Sequence, residues 1–339
     1  MSIRFGKTIL TAVFTVFCLT VFFGVHYAGA AANESSAASL VTAGAVSVQT
    51  TTPDVITAKG MTMLNLPPRL QWENGHGYCG ETSIQTSALY YGTYISQNMA
   101  RKLAGGELLI SVNEYPVLKG LGLTYDEWNY DAKTPQYKAY LVWVKQHLNQ
   151  GHPVILTVYV KGMTDPDFDH IIPAVGFSSQ DMRKYSDSDN LAFNDNFAKT
   201  PFLRSFGSMQ DTREMKGNGA TEKYCIPRNV DYGCAVTGIV DVKHETVPVS
   251  LRINFWNEPN VSLKEKAKTL HGVITINSLR PGSKYLLLRY NNYKKLPKSG
   301  FAASKADKTV KFTADAKMMT FNDSIKSNTV AIYRCVLQK

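Results

Sequence analysis

The stretch 71–92, "QWENGHGYCGETSIQTSALYYG", decides the reading of this chain. Gly75, Gly77 and Gly80 crowd around Cys79, and no further breaker occurs before Gly92. Beyond the cysteine, apolar or small residues fall at Ile84, Ala88, Tyr91, Ile95, Met99 and Leu103. That three-and-four spacing predicts a helix with one buried face, so Cys79 stands at or just before a helix N-terminus. The unpaired N–H groups and the dipole of such a terminus favour an anion and are expected to lower a thiol's pKa. Gly77 and Gly80 leave room for another backbone to approach the sulfur. Glu81 opposes a thiolate unless it points away or is paired.

The compartment decides how a lone cysteine is read. Arg4 and Lys7 precede the uncharged run "TILTAVFTVFCLTVFFGV", and Ala28 and Ala30 form a small-x-small pattern after it. Residues 1–30 therefore read as a secretory signal peptide, with 31–62 a linker. The competing reading is an uncleaved anchor, because Ile9 to Val25 approaches the lower limit for spanning a bilayer. Either way the rest is placed outside the cytosol, secreted or in an endomembrane lumen. Cysteines there pair unless something prevents it. Cys225 and Cys234 bracket "IPRNVDYG" and are expected to bridge, leaving Cys79 and Cys335 over. Sequons at Asn33, Asn260 and Asn322 are glycosylation acceptors if the source is eukaryotic.

A cysteine nucleophile needs a base. Tyr140, Leu141, Val144 and Leu148 keep a helical period, Gly151 stops it, and "NQGHPVILTVYV" at 149–160 turns β-branched from Pro153. "DHIIPAVGF" (169–177) and "LAFNDNF" (191–197) are short β-rich runs, expected to pair as antiparallel strands. The start of one then lies beside the end of the other, making His170 and Asp195 neighbours. Alternation lets only one of Asn194 and Asp195 face His170. His76 lies close enough to Cys79 to raise a zinc site or a local acid–base role, yet a solvated loop histidine is the plainer reading, and no second Cys–His pair stands at zinc spacing; neither a metal nor a cofactor is expected.

"GYCG", "LNQGHPVIL", "DHIIPAVGF" and "FNDNF", in that order, resemble the papain-like cysteine peptidases, and within them the C39-like, bacteriocin-processing type, over roughly residues 65–240. The resemblance implies an α+β domain, an N-terminal helix carrying the cysteine and an antiparallel sheet carrying histidine and carboxylate, placed here at 63–243. It makes Cys79 the nucleophile, His170 the base and Asp195 the orienting carboxylate. Papain's own third member is an asparagine, which keeps Asn194 as the alternative. The family's oxyanion-hole glutamine is displaced, since Glu73 occupies its position; of the nearby amides Gln71 and Asn74, Gln71 is taken as the candidate. The expected activity is hydrolysis of a peptide or amide bond in a peptide or protein substrate. The alternatives are a catalytically silent binding protein on the same fold, or an amidase or transglutaminase-like acyl transferase. The transporter domains of bacteriocin-processing members are absent, so export of a leader-peptide substrate is not implied.

From 244 to 339 the short alternating runs separated by turns predict a β-sandwich. Lys264, Lys266, Lys268, Lys294, Lys295 and Lys298 gather there and contribute to the net charge of +10. An anionic glycan or a membrane surface would suit that face, though a solvated surface is the plainer reading. No nucleic-acid motif accompanies the charge, and a nucleic-acid partner is not expected.

Overall fold

The computed structural model describes residues 49–50, 55–58, 60–72, 77–160, 170–211, 224–253 and 267–338. The signal and anchor readings, Asn33, Glu73, Asn74, His76, Asn260, Lys264 and Lys266 lie outside them. No helix among the described residues is long and apolar enough to cross a membrane.

The helices are α1 (Cys79–Tyr90), α2 (Gln97–Ala104), α3 (Tyr115–Gly120), α4 (Tyr137–Asn149) and α5 (Phe206–Met209). The first strands are β1 (Gln49–Thr50), β2 (Val55–Ala58), β3 (Met61–Leu64), β4 (Thr93–Ile95), β5 (Leu123–Glu127), β6 (Val154–Val160), β7 (His170–Ser178), β8 (Asn190–Asn194), β9 (Pro201–Ser205), β10 (Gln210–Asp211), β11 (Tyr224–Pro227) and β12 (Gly233–Ile239). The remainder are β13 (Thr246–Val247), β14 (Val249–Ile253), β15 (Thr269–Ile276), β16 (Lys284–Tyr290), β17 (Lys308–Thr313), β18 (Met319–Lys326) and β19 (Val330–Leu337). The chain is thus mixed α/β, and its pairings are antiparallel except β10 with β11.

The large N-terminal sheet is built around β6 and β7, which read as near-continuous apolar runs because both faces are covered. Val154, Leu156 and Val158 pack with Tyr140, Leu141, Val144 and Leu148 of α4 on one face. Ile155 and Ile171 pack with Ile84 and Ala88 of α1 on the other. Period-two alternation therefore sends one strand's side chains into two cores. Gly151, at φ +82°, ends α4 and turns the chain into β6.

The apolar spacing from Ile84 to Leu103 does not belong to one helix. Helix α1 ends at Tyr90, and Gly92 takes φ +64°. Thr93–Ile95 is then drawn into β4, which pairs with β19 at the far end of the chain. Helix α2 restarts behind Ser96, whose hydroxyl accepts the Met99 N–H. Ile95 keeps its place in the apolar spacing and loses its helix, because backbone pairing with β19 and a left-handed glycine outweigh periodicity. The single buried face expected of α1 is likewise an understatement: every residue from Gly80 to Tyr90 is buried.

The C-terminal strands form two sheets. β13, β19, β16 and β17 lie in order with β4 added on β19, and β14, β15 and β18 make the second. Leu251, Leu270, Ile274 and Ile325 of the smaller sheet share a core with Tyr285, Leu287 and Tyr333 of the larger, and Leu89 and Tyr94 reach into the same core. Arg334 is fully buried and donates from Nη1 to the carbonyls of Tyr91 (3.3 Å) and Tyr333 (2.8 Å), so a cation from β19 faces the negative end of α1. Asn322, the sequon within the described residues, is exposed on β18; Lys268, Lys294, Lys295 and Lys298, outside that strand, are exposed as well.

The expected bridge between Cys225 and Cys234 is not made, and no disulfide joins Cys79, Cys225, Cys234 or Cys335 to another cysteine among the described residues. The cause lies in the sheet. Cys225 stands opposite Tyr159 and Cys234 opposite Ile155, along the same edge of β6. Four residues of strand separate them by about 13 Å at roughly 3.3 Å per residue, whereas a disulfide needs Cα atoms about 4.4–6.8 Å apart. In denaturant without reductant, a thiol-specific reagent should therefore modify both Cys225 and Cys234; peptide mapping that recovers them as a linked pair would contradict this register. A second expectation comes from close packing. A Cβ on Gly80 would stand 2.1 Å from the Leu108 carbonyl oxygen, so Gly80→Ala should cost about 1–3 kcal/mol in urea unfolding, the usual range for overpacking; an unchanged midpoint would refute the contact.

Candidate active site

Cys79 is the first residue of α1, and the preceding Tyr78 offers no side-chain cap. The N–H groups of Ile171 and Gly80 are directed at the sulfur and favour its anion. They do not prevail. Burial is the largest influence and, together with the charges of Glu81 and Glu107, pushes the thiol up to about 11. The lowered pKa expected from a helix start is thus overturned in the resting site. A helix terminus is worth about 0.3–1 kcal/mol at an exposed position, less than the cost of taking an unpaired thiolate out of water.

Glu81 does not face solvent. It is fully buried, and Oε1 accepts from Arg101 Nε at 2.6 Å and from the Leu108 N–H at 3.2 Å. Burial raises its carboxyl pKa, while Arg101 pulls the other way. Arg101 also donates to the Gly77 carbonyl and lies 3.6 Å from the Tyr78 ring centroid. One ion pair therefore joins α1, α2, the glycine approach to Cys79 and the Leu108 turn.

His170 opens β7 and Asp195 follows the last residue of β8, so antiparallel pairing of the two strands brings them together. His170 Nε2 lies 3.1 Å from Asp195 Oδ1, both side chains nearly buried. The same Oδ1 accepts the Phe197 N–H at 3.2 Å, and Oδ2 accepts the Tyr224 hydroxyl. Burial alone would raise the Asp195 carboxyl, but hydrogen bonds from His170, Tyr224 and Phe197 outweigh it and hold the pKa below the ordinary value. The rings of Phe197 and Tyr224 lie near-parallel to the imidazole, at centroid distances of 5.5 and 5.7 Å. Asn194 turns away, its Nδ2 donating to the buried Leu66 carbonyl at 2.9 Å.

Asn196 joins the two halves. Its Nδ2 donates to the carbonyls of Cys79 (3.0 Å) and Ile171 (2.9 Å) and lies 3.3 Å from Ser83 Oγ. The N-terminus of α1 is thereby fastened to the strand residue next to His170. Cys79 and His170 themselves share no hydrogen bond among the described residues; their link runs through Ile171, whose N–H faces the sulfur. With Nε2 committed to Asp195, Nδ1 is the imidazole nitrogen left to exchange a proton. Gln71 lies nearby, since its N–H donates to the Asn196 carbonyl at 2.9 Å and its Oε1 is buried without a partner among the described residues. Gln97 clamps this segment, accepting the Trp72 N–H at 2.8 Å and donating to the Leu70 carbonyl at 3.0 Å.

Sequence reasoning passed over Asn196, Tyr224 and Arg101. Asn196 was within reach, as the residue after the two weighed in "FNDNF". Tyr224 carried no local signal, being 29 residues from the carboxylate it serves. No curated protein and no solved structure matches this chain. A family model does: that of the Peptidase_C39 like family, over residues 63–212, the segment that holds Cys79, His170 and Asp195. By that match and by the antiparallel sheet with the cysteine-bearing helix packed on it, this segment is a C39-like domain of papain-type, cysteine-peptidase-like fold.

Proposed function

We propose that the chain is a thiol hydrolase that cleaves a peptide or amide bond with Cys79 as nucleophile, His170 as base and Asp195 as the carboxylate orienting the imidazole. The observation that carries this reading is the His170 Nε2–Asp195 Oδ1 bond, set one residue from the strand amide that faces the Cys79 sulfur. In the reaction, His170 Nδ1 accepts the thiol proton as Sγ attacks the substrate carbonyl carbon. The carbonyl π electrons move to oxygen, where N–H donors receive the charge; the Cys79 N–H at the uncapped start of α1 and the Gln71 side chain are the candidates. His170 returns the proton to the leaving amine as the C–N bond breaks; water then gives a proton to His170 Nδ1 and its oxygen attacks the thioester carbon, the C–S bond breaks with its electrons on sulfur, and the proton passes from Nδ1 back to Sγ. The raised thiol pKa means that this proton transfer depends on the imidazolium remaining beside the sulfur.

The second reading is a catalytically silent binding protein, and the observation favouring it is that same raised thiol together with the lack of a direct Cys79–His170 hydrogen bond. Catalytic contacts that are long in a free enzyme tighten on substrate binding, and the ordered His170–Asp195 pair supports the hydrolase. An acyl transferase would use the same atoms with an amine in place of water; amine incorporation against peptide-bond cleavage separates the two. We read the chain as secreted or membrane-anchored from its N-terminal sequence, and the two C-terminal sheets, which share one core, as the expected sandwich.

The pairing is tested by alkylation of Cys79 with iodoacetamide across pH, with Cys79→Ala as the blank. Wild type should react at neutral pH. In His170→Ala the thiol has only its surroundings, so reactivity should fall at neutral pH and rise again toward about 11. Superimposable profiles would remove His170 from the mechanism. The third member is tested by turnover of a peptide substrate. Asp195→Ala should lower it by about a thousandfold or more, whereas Asn194→Ala, which loses a buried hydrogen bond to Leu66, should cost about 1–2 kcal/mol of stability and leave most activity. The reverse ranking would assign the role to Asn194.

A further inference from the structure

The carboxylate proposed to orient His170 has two oxygens, related by rotation about the Cβ–Cγ bond. Asp195 Oδ1 is shared by His170 Nε2 and the Phe197 N–H. If Oδ2 were free, rotation about the Cβ–Cγ bond would exchange the two oxygens and break both bonds. Oδ2 instead accepts the hydroxyl of Tyr224, which reaches it from β11, separated from β8 in the sheet by β7 and β6. Tyr224 is nearly buried, packs edge-on against Phe193 (interplanar 88°), and lies near-parallel to His170. Its hydroxyl and ring therefore act on two neighbours at once.

We propose that Tyr224 is a positioning residue for the Cys79–His170 pair: its hydroxyl locks the Asp195 carboxylate so that Oδ1 alone meets His170 Nε2, and its ring sets the plane of the imidazole. This rests on the hydrolase reading above. Tyr224 does not touch the sulfur, and its effect passes through Asp195. Locking both oxygens leaves the carboxylate ionised and fixed, so that Nδ1 of His170 is held toward the N-terminus of α1. The groups facing Asp195 are His170 from β7, Tyr224 from β11 and the Phe197 amide from its own turn; Phe193 and Phe202 close the apolar side around Tyr224.

Tyr224→Phe removes one oxygen and keeps the ring. The readout is the rate of Cys79 alkylation by iodoacetamide against pH, which needs no substrate. The neutral-pH rate should fall roughly ten- to a hundredfold, the usual consequence of losing a hydrogen bond to a charged group. The sign of the pH effect follows from the bonds. The hydroxyl is one of the contributions that hold the Asp195 carboxyl down, so without it Asp195 protonates at higher pH and the acid limb of the profile moves up. A variant that only loosened the fold would lower melting temperature without moving that limb. The effect should also vanish in an Asp195→Ala background, because a residue acting through a carboxylate has nothing to act on once it is gone. Asp195→Ala and His170→Ala in the same assay separate the two levels of the argument. If His170→Ala matches wild type, the hydrolase reading fails and the role of Tyr224 falls with it. If His170→Ala alters the profile and Tyr224→Phe superimposes on wild type, or if Tyr224→Phe remains fully additive with Asp195→Ala, the positioning role alone is overturned.

Discussion

Helix α1 is buried on all sides although its sequence, "CGETSIQTSALY", is rich in hydroxyls, and the rest of the domain is arranged to allow that. A polar helix can occupy an interior only if its hydrogen-bonding groups are satisfied. Thr82, Ser83, Thr86 and Ser87 each return their hydroxyl to the carbonyl four residues earlier, closing those groups within the helix itself. Gln85 donates to the Ile95 carbonyl, and Glu81 is matched by Arg101. With the hydroxyls closed within the helix and Gln85 and Glu81 matched by Ile95 and Arg101, α1 can be covered by the sheet on one side and by α2, the Leu108 turn and the C-terminal sheets on the others.

That burial sets the chemistry at its N-terminus. A helix start in water would favour a thiolate, but this one is half-buried, and the cost of an uncompensated charge exceeds what the dipole and two amides return. In the proposed hydrolase the thiol therefore depends on a partner. The imidazole is held by a carboxylate that also accepts from Phe197 and Tyr224, while Asn196 joins helix and strand through the Cys79 and Ile171 carbonyls and the Ser83 hydroxyl. In the proposed mechanism positioning and charge compensation fall to different residues, Asn196 for the first and the His170–Asp195 pair for the second.

The two parts of the chain are not joined by a tether. Strand β4 lies inside the N-terminal sequence but pairs with β19, and Arg334 of β19 reaches the carboxyl end of the cysteine helix. Both ends of α1 are thus held from a distance in sequence: the N-terminus by Asn196 and Arg101, the C-terminus by a residue of the last strand. Truncating the C-terminal strands would expose Leu89 and Tyr94 along with the end of the helix.

The sequence alone determined the parts whose cause is local. Glycines around Cys79 followed by an uninterrupted helical pattern marked the helix start; Gly151 and Pro153 marked a helix stop and strand start; and β-rich runs at 169–177 and 191–197 placed a histidine beside a carboxylate, since antiparallel pairing leaves few alternatives. Only the tertiary structure decided the rest, because each remaining point depends on what packs against a residue. The spacing through Ile95 could not reveal that Thr93–Ile95 would be claimed by β19. The proximity of Cys225 and Cys234 in sequence said nothing of their four-residue offset along β6. Whether Asn194 or Asp195 meets His170 was set by the register and by Leu66 accepting from the former. And the thiol pKa, which a helix start by itself would lower, is raised because desolvation is a property of the surroundings rather than of the segment.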